Sequence, residues 1–157
     1  MHTPHIKKLT ITFFASLFIL VASAQDCGPI NLGKIKDLLT GLGYTPKPSA
    51  DTGKVIKYII DNKGASFNVP TGFEISPSTN YIWLTVNLGK APSDTCEKTT
   101  SLLKKNASIQ PAFFYISGQN NLMITIAIEN RAVTSAVLKR VNDFIVNRVE
   151  ETKDLWQ

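Results

Sequence analysis

Two runs of strict alternation constrain this chain more than anything else in it. Across residues 81–88, Ile82, Leu84, Val86 and Leu88 share one side, while Tyr81, Trp83, Thr85 and Asn87 share the other. Across residues 122–129, Leu122, Ile124, Ile126 and Ile128 alternate with Met123, Thr125, Ala127 and Glu129. A period of two is that of a β-strand with one face turned toward a core. The second run follows a phenylalanine-rich stretch, residues 113–116, across a polar turn, so the two read as a hairpin. The aliphatic side chains claim one sheet face. The opposite face collects Tyr81, Trp83 and Met123, with Phe113 or Phe114 and Tyr115 joining them according to register. Two readings of that face stand side by side. Either a helix covers it and Trp83 is core, or it is an open aromatic surface that docks a partner or a second copy of the chain. The candidate partner-binding set is Tyr81, Trp83, Phe113, Tyr115 and Met123.

The remaining elements follow from periodicity and punctuation. Ile35, Leu38, Leu39 and Leu42 recur at helical spacing, with Asn31 as a cap and Gly43 as the left-handed stop. Residues 44–53 hold two prolines, a serine and a glycine, and read as a loop. Residues 55–60 are rich in β-branched side chains and read as a strand, with Asp61-Asn62-Lys63-Gly64 as a turn. Residues 65–69 resume a strand, which Pro70-Thr71-Gly72 interrupts before residues 73–76 continue it. A second helix starts at Asp94, with Glu97 completing a capping-box-like pair, and buries Thr99, Leu102 and Leu103. The last helix places Val133, Val137, Leu138, Val141, Phe144, Ile145 and Val149 on one arc, with Asn130 as its cap and Val146 on the far side. Arg148 falls inside that arc near the helix end, where its stem can pack while its head reaches water.

The front of the chain reads as an export signal. Lys7 and Lys8 precede an apolar run from Leu9 to Val21, followed by Ala22-Ser23-Ala24. The run is short for a membrane span, and the small residues fit a peptidase site. Residues 1–24 are therefore expected to be removed, leaving residues 25–157 as a single domain without a transmembrane segment, in the periplasm or outside the cell. Both histidines of the chain, His2 and His5, lie in the removed part. Losing Lys7 and Lys8 also lowers the net charge below the +5 of the full chain. The remaining basic residues are scattered, so no nucleic-acid footprint is expected. Cys27 and Cys96 both remain, and an even count in an exported chain favours a disulfide between them. By the chain-entropy account, closing a loop of that length adds about 4 kcal/mol. Asn106-Ala107-Ser108 matches a glycosylation acceptor, a tripeptide common by chance.

The order of elements is helix, three strands, helix, two strands, helix. With these lengths it resembles the type III secretion chaperone-like fold, which includes a family of bacterial sensory transduction regulators. The resemblance is carried by Leu102-Leu103-Lys104-Lys105-Asn106, the phenylalanine-rich strand, the polar turn, the alternating strand and the long terminal helix. It is carried also by Leu38-Leu39-Thr40-Gly41-Leu42-Gly43-Tyr44 at the end of the first helix. It implies a two-layer α+β domain on a five-stranded antiparallel sheet. It also implies protein binding, often as a homodimer, and no catalysis. The export signal sets this chain apart from secretion chaperones, which act in the cytoplasm.

The chemistry left to the exported part is sparse. Without histidine, a serine nucleophile lacks its usual base. Paired thiols neither attack nor bind metal. No calcium loop, Gly-rich phosphate loop or metal-ligand spacing is present, so neither metal nor cofactor is expected. Twelve acidic residues remain, and a pair of them meeting in a cleft would support the alternative reading, a carboxylate-based hydrolase or carbohydrate-binding protein of the cell envelope. The favoured reading is an exported, non-enzymatic protein-binding domain, acting on a partner or on itself.

Overall fold

A computed structural model of the chain describes residues 28–92 and 96–157, apart from the side chain of Cys96. The expected export signal, Cys27 and the expected Asp94 cap lie outside the described residues. The elements run α1 (Leu32–Gly41), β1 (Lys47–Asp51), β2 (Lys54–Lys63), β3 (Asn68–Ile75), β4 (Tyr81–Lys90), α2 (Cys96–Asn106), β5 (Phe113–Ile116), β6 (Asn121–Glu129), α3 (Ser135–Glu151) and α4 (Lys153–Trp156). The strands form one antiparallel sheet in the order β1-β2-β3-β4-β6-β5. The chain crosses over after β4 through α2, lays β5 on the far edge, and returns with β6 between β4 and β5.

One sheet face is the core. Ile60, Val69, Phe73, Ile82, Leu84, Val86, Phe114, Leu122, Ile124 and Ile126 turn toward Ile35 and Leu39 of α1 and toward Leu138, Val141, Ile145 and Val149 of α3. The alternation in β4 and β6 is thus the pattern of a sheet with one face packed under helices. Residues of the opposite face, Trp83, Phe113, Tyr115 and Met123 among them, take no part in that cluster.

Local sequence explains both ends of α1. The Asn31 side chain accepts from the Lys34 N–H at 2.9 Å. At the other end Gly43 takes φ +86°. The Gly43 N–H donates to the Thr40 carbonyl at 2.9 Å, and the Tyr44 N–H to the Leu39 carbonyl at 3.1 Å. This paired closure satisfies orphan carbonyls and requires the left-handed conformation that glycine adopts freely.

Several expectations need correction. The sheet has six described strands, not five, because residues 47–51 form β1 instead of part of a loop. Its proline, Pro48, and its polar residues are compatible with a strand only because β1 is an edge, where one row of backbone groups needs no partner. β3 runs unbroken through Pro70. Pairing with β4 begins only at Gly72, so the proline sits outside that ladder. The expected turn at residues 61–64 is still strand through Lys63, and Asn62 is buried. Asn130 does not cap the last helix. Thr134 does, accepting from the Val137 N–H at 3.2 Å, and Val133 is buried ahead of the helix. Asn130 instead ties three segments together: it donates to the carbonyls of Ile30 and Thr79, both at 2.9 Å, and accepts from the Ile30 N–H at 3.0 Å. Leu103 is exposed on α2 while Leu102 packs. Val146 packs partly against the core, and Asn142 takes a place on the buried arc that apolar periodicity did not assign.

Arg148 behaves as expected for a long side chain near a helix end. Its guanidinium lies 4.9 Å from the Phe144 ring centroid, and its Nη1 is 2.6 Å from Glu151. The Asn106 side chain is likewise engaged. It accepts from the Phe114 N–H at 2.7 Å and donates to the Phe114 carbonyl at 3.2 Å, closing the outer edge of β5 at that residue. A glycan on this nitrogen would break that clamp.

Candidate functional site

The face opposite the helices has its own relief. Across β3, β4, β6 and β5, one row reads Gly72, Thr85, Thr125 and Phe113, and the next carries Glu74, Trp83 and Ala127. Small residues in the middle leave a floor. Thr85 and Thr125 are buried at its base, on the face away from the helix-packed cluster. A Cβ on Gly72 would stand 3.1 Å from Thr85 Oγ1, so the glycine lets that floor close up. The Thr125 hydroxyl donates to the Leu84 carbonyl at 2.9 Å, which uses its donor within the sheet.

Aromatic rings rise on this floor. Trp83 and Phe113 meet edge to face, centroids 6.4 Å apart at 82°, and Tyr115 tilts against Phe113 at 6.2 Å. Together with Glu74 and Thr125 they line a groove of about 380 Å³. Of the expected set, then, Trp83, Phe113 and Tyr115 come together. Met123 lies on the same face beside Tyr115 in the β5–β6 register, half-buried, but does not line the groove. Tyr81 is separate. It borders a more polar groove of about 430 Å³ at the sheet end, with Gly28, Pro29, Asn80, Glu129, Asn130 and Arg131. Cys27 lies outside the described residues, and Cys96 opens α2. Among the described residues, Trp83 is half-buried beside Phe113 and outside the helix-packed core.

Sequence reasoning missed Glu74 and Thr125 as groove residues. Their signal is parity with Trp83 across the strands, which needs the register. Glu74 faces Trp83 directly only because β3 runs without a bulge.

Glu74 also leaves an electrostatic mark. The Tyr115 hydroxyl is held above the ordinary tyrosine value of 10.0, first by burial, which disfavours the phenolate, and second by the Glu74 carboxylate. A raised value in the folded protein contributes stability that is full below pH 10 and is lost as pH rises through the folded value. Ultraviolet difference titration, with Tyr115→Phe as the reference, is expected to show this phenol ionising later than a free tyrosine. Glu74→Gln should bring it part of the way back. An unchanged titration in Glu74→Gln would separate the two residues electrostatically.

Carboxylates do share one groove. Asp61 and Asp143 line a space of about 610 Å³ with Tyr44, Asn62, Lys63, Val146 and Asn147. Each is already paired: Asp61 with Lys47 and Asp143 with Lys139, both at 2.6 Å. Among the described residues no three His, Cys, Asp or Glu side chains converge as a metal site would need, and no helix is long and apolar enough to cross a membrane.

Among the described residues, an antiparallel sheet with helices packed on one face and aromatic rings on the other defines the class of domain. Among solved structures, a chain of the heterodimeric ExoU–SpcU complex from the type III secretion system of Pseudomonas aeruginosa shares this fold. The TM-score is 0.56 at 16% identity, over 78% of this chain and 98% of that one. At that identity the likeness is one of fold. It supports the fold side of the resemblance drawn from the sequence. No family model matches the chain, and no curated protein matches it.

Proposed function

We propose that this chain is an exported, non-enzymatic binding domain whose open sheet face docks a protein, either a partner or a second copy of itself. The observation that carries this reading is the cluster of Trp83, Phe113 and Tyr115 on a sheet face that stands outside the helix-packed core. Large rings gain most from burial, and aromatic anchors in a shallow pocket are what protein interfaces are built around. The fold it shares with a chain of a heterodimeric secretion complex is in keeping with protein binding. Export rests on residues 1–24, and a Cys27–Cys96 bond belongs to the same reading, since that compartment keeps disulfides. A chaperone-like or regulatory role, in a homodimer or on a partner, follows from the resemblance of the sequence.

The test is Trp83→Ala, read by sedimentation velocity for self-association and by photocrosslinking in the native cell from a benzophenone residue at position 123. That position borders the groove without lining it. The variant is expected to stay folded while the dimer or the crosslinked adduct weakens. Crosslinks from position 139, on the helix layer, should be unaffected. A strongly destabilised variant with unchanged association would reject the interface.

A further inference from the structure

The aromatic groove contains a carboxylate that makes no ion pair among the described residues. Glu74 stands across from Trp83 in the β3–β4 register and lines the groove with Trp83, Phe113 and Tyr115. Its carboxylate makes no ion pair or hydrogen bond among the described residues. The basic neighbour across the other ladder is Lys57. Its stem instead runs over Gly72, with Cδ 3.5 Å from where a Cβ on that glycine would sit.

We propose that the groove takes an arginine side chain presented by the protein partner, its guanidinium stacked on the rings and paired with Glu74. This rests on the sheet-face reading above and names the chemistry of its contact. The faces of Trp83, Phe113 and Tyr115 carry negative quadrupole potential, which attracts a cation. A guanidinium is planar and weakly hydrated, so it stacks on a ring and still offers a fork of donors to a carboxylate. A lysine ammonium would meet the charge but leave the rings unstacked. The chain builds this combination elsewhere on its own surface. Arg148 lies 4.9 Å from the Phe144 centroid and 2.6 Å from Glu151. The groove holds the carboxylate and the rings without the guanidinium. The late ionisation of Tyr115 fits a groove into which Glu74 projects negative potential.

The probe is a short Gly-Arg-Gly-Arg-Gly peptide with blocked ends, set against the same peptide with neutral citrulline for arginine. The readout is the indole N–H signal of Trp83 in the folded protein, assigned with Trp83→Phe. The arginine peptide is expected to shift this signal saturably, and the citrulline peptide to leave it in place. Glu74→Gln, a near-isosteric change, should weaken the arginine peptide by about tenfold, one charge-assisted hydrogen bond's worth. Lys57→Met should tighten binding by removing a competing cation. Glu129→Gln, on the same face but lining the other groove, should change nothing. The assignment is overturned if citrulline binds equally well, or if Glu129→Gln weakens binding as much as Glu74→Gln. It is also overturned if choline saturates the groove while the peptide does not, which would make it a small-cation site. The two readings fail separately. Crosslinks from position 123 that need Trp83 but not Glu74 would keep the interface and remove the arginine. Glu74-dependent peptide binding with no crosslinks would keep the groove chemistry and remove the partner.

Discussion

Leu84→Ala is expected to cost about 2–5 kcal/mol of folding stability, while Trp83→Ala, one residue away, costs about 1 kcal/mol. The contrast follows from the pleat. Leu84 is fully buried and lies opposite Phe73 on the core face, between the sheet and the helices. Truncating it removes apolar contacts and leaves a cavity that a close-packed interior fills only in part. Trp83 stands on the other face, and the ring contact it would lose is the edge-to-face pair with Phe113. Denaturant unfolding at constant m-value measures both. Equal losses at the two positions would mean that Trp83 is core after all, and the open-face reading would go with it. The reverse order, a larger cost at Trp83, would mean that the strand is turned over.

Different physical signals decide what could be read in the chain. β4 and β6 were legible because strict alternation fixes both the element and its inward face, and only a core on one side maintains such a pattern. α1 was legible to within a residue because Asn31 and Gly43 satisfy its ends by local chemistry. β1 was not, since an edge strand of polar residues and a proline owes its existence to β2 and not to its own propensity. Asn130 looked like a cap because asparagine commonly is one. Its actual partners, Ile30 and Thr79, are distant in sequence, and no local rule announces them. The site shows the same division. Alternation put Trp83 on the face away from Leu84, and parity let Phe113, Tyr115 and Met123 follow. The groove itself depends on registers among four strands, which bring Glu74, Thr85 and Thr125 beneath and beside the rings. Tyr81 shares the parity of Trp83 but sits at the sheet end, so parity alone overreached there.

Replacing Asn142 with leucine is expected to cost about 2–3 kcal/mol, although it puts an apolar residue of similar size into a buried position. Asn142 faces Asn62 across the core, and the two amides are reciprocally bonded. Asn142 Nδ2 donates to Asn62 Oδ1 at 2.7 Å, and Asn62 Nδ2 donates to Asn142 Oδ1 at 3.2 Å. Asn142 Nδ2 also reaches the Tyr44 hydroxyl at 3.3 Å, and Asn62 Nδ2 reaches Thr71 Oγ1 at 2.9 Å and the Val69 carbonyl at 3.0 Å. The network ties α3 to β2, β3 and the segment after α1. Removing one amide leaves the other's carbonyl buried without its donor, and a stranded polar group costs more than the bond itself was worth. The double variant Asn62→Leu/Asn142→Leu removes both ends of the central pair, so it should be less destabilised than the sum of the singles by about 1 kcal/mol or more. Thr71 Oγ1 and the Val69 carbonyl still lose a donor, which keeps the double variant below the natural protein. The double-mutant cycle, read from denaturant midpoints, decides the point. Additive losses would mean that the two amides do not depend on each other, and that the contact between α3 and the sheet is held by its aliphatic neighbours alone.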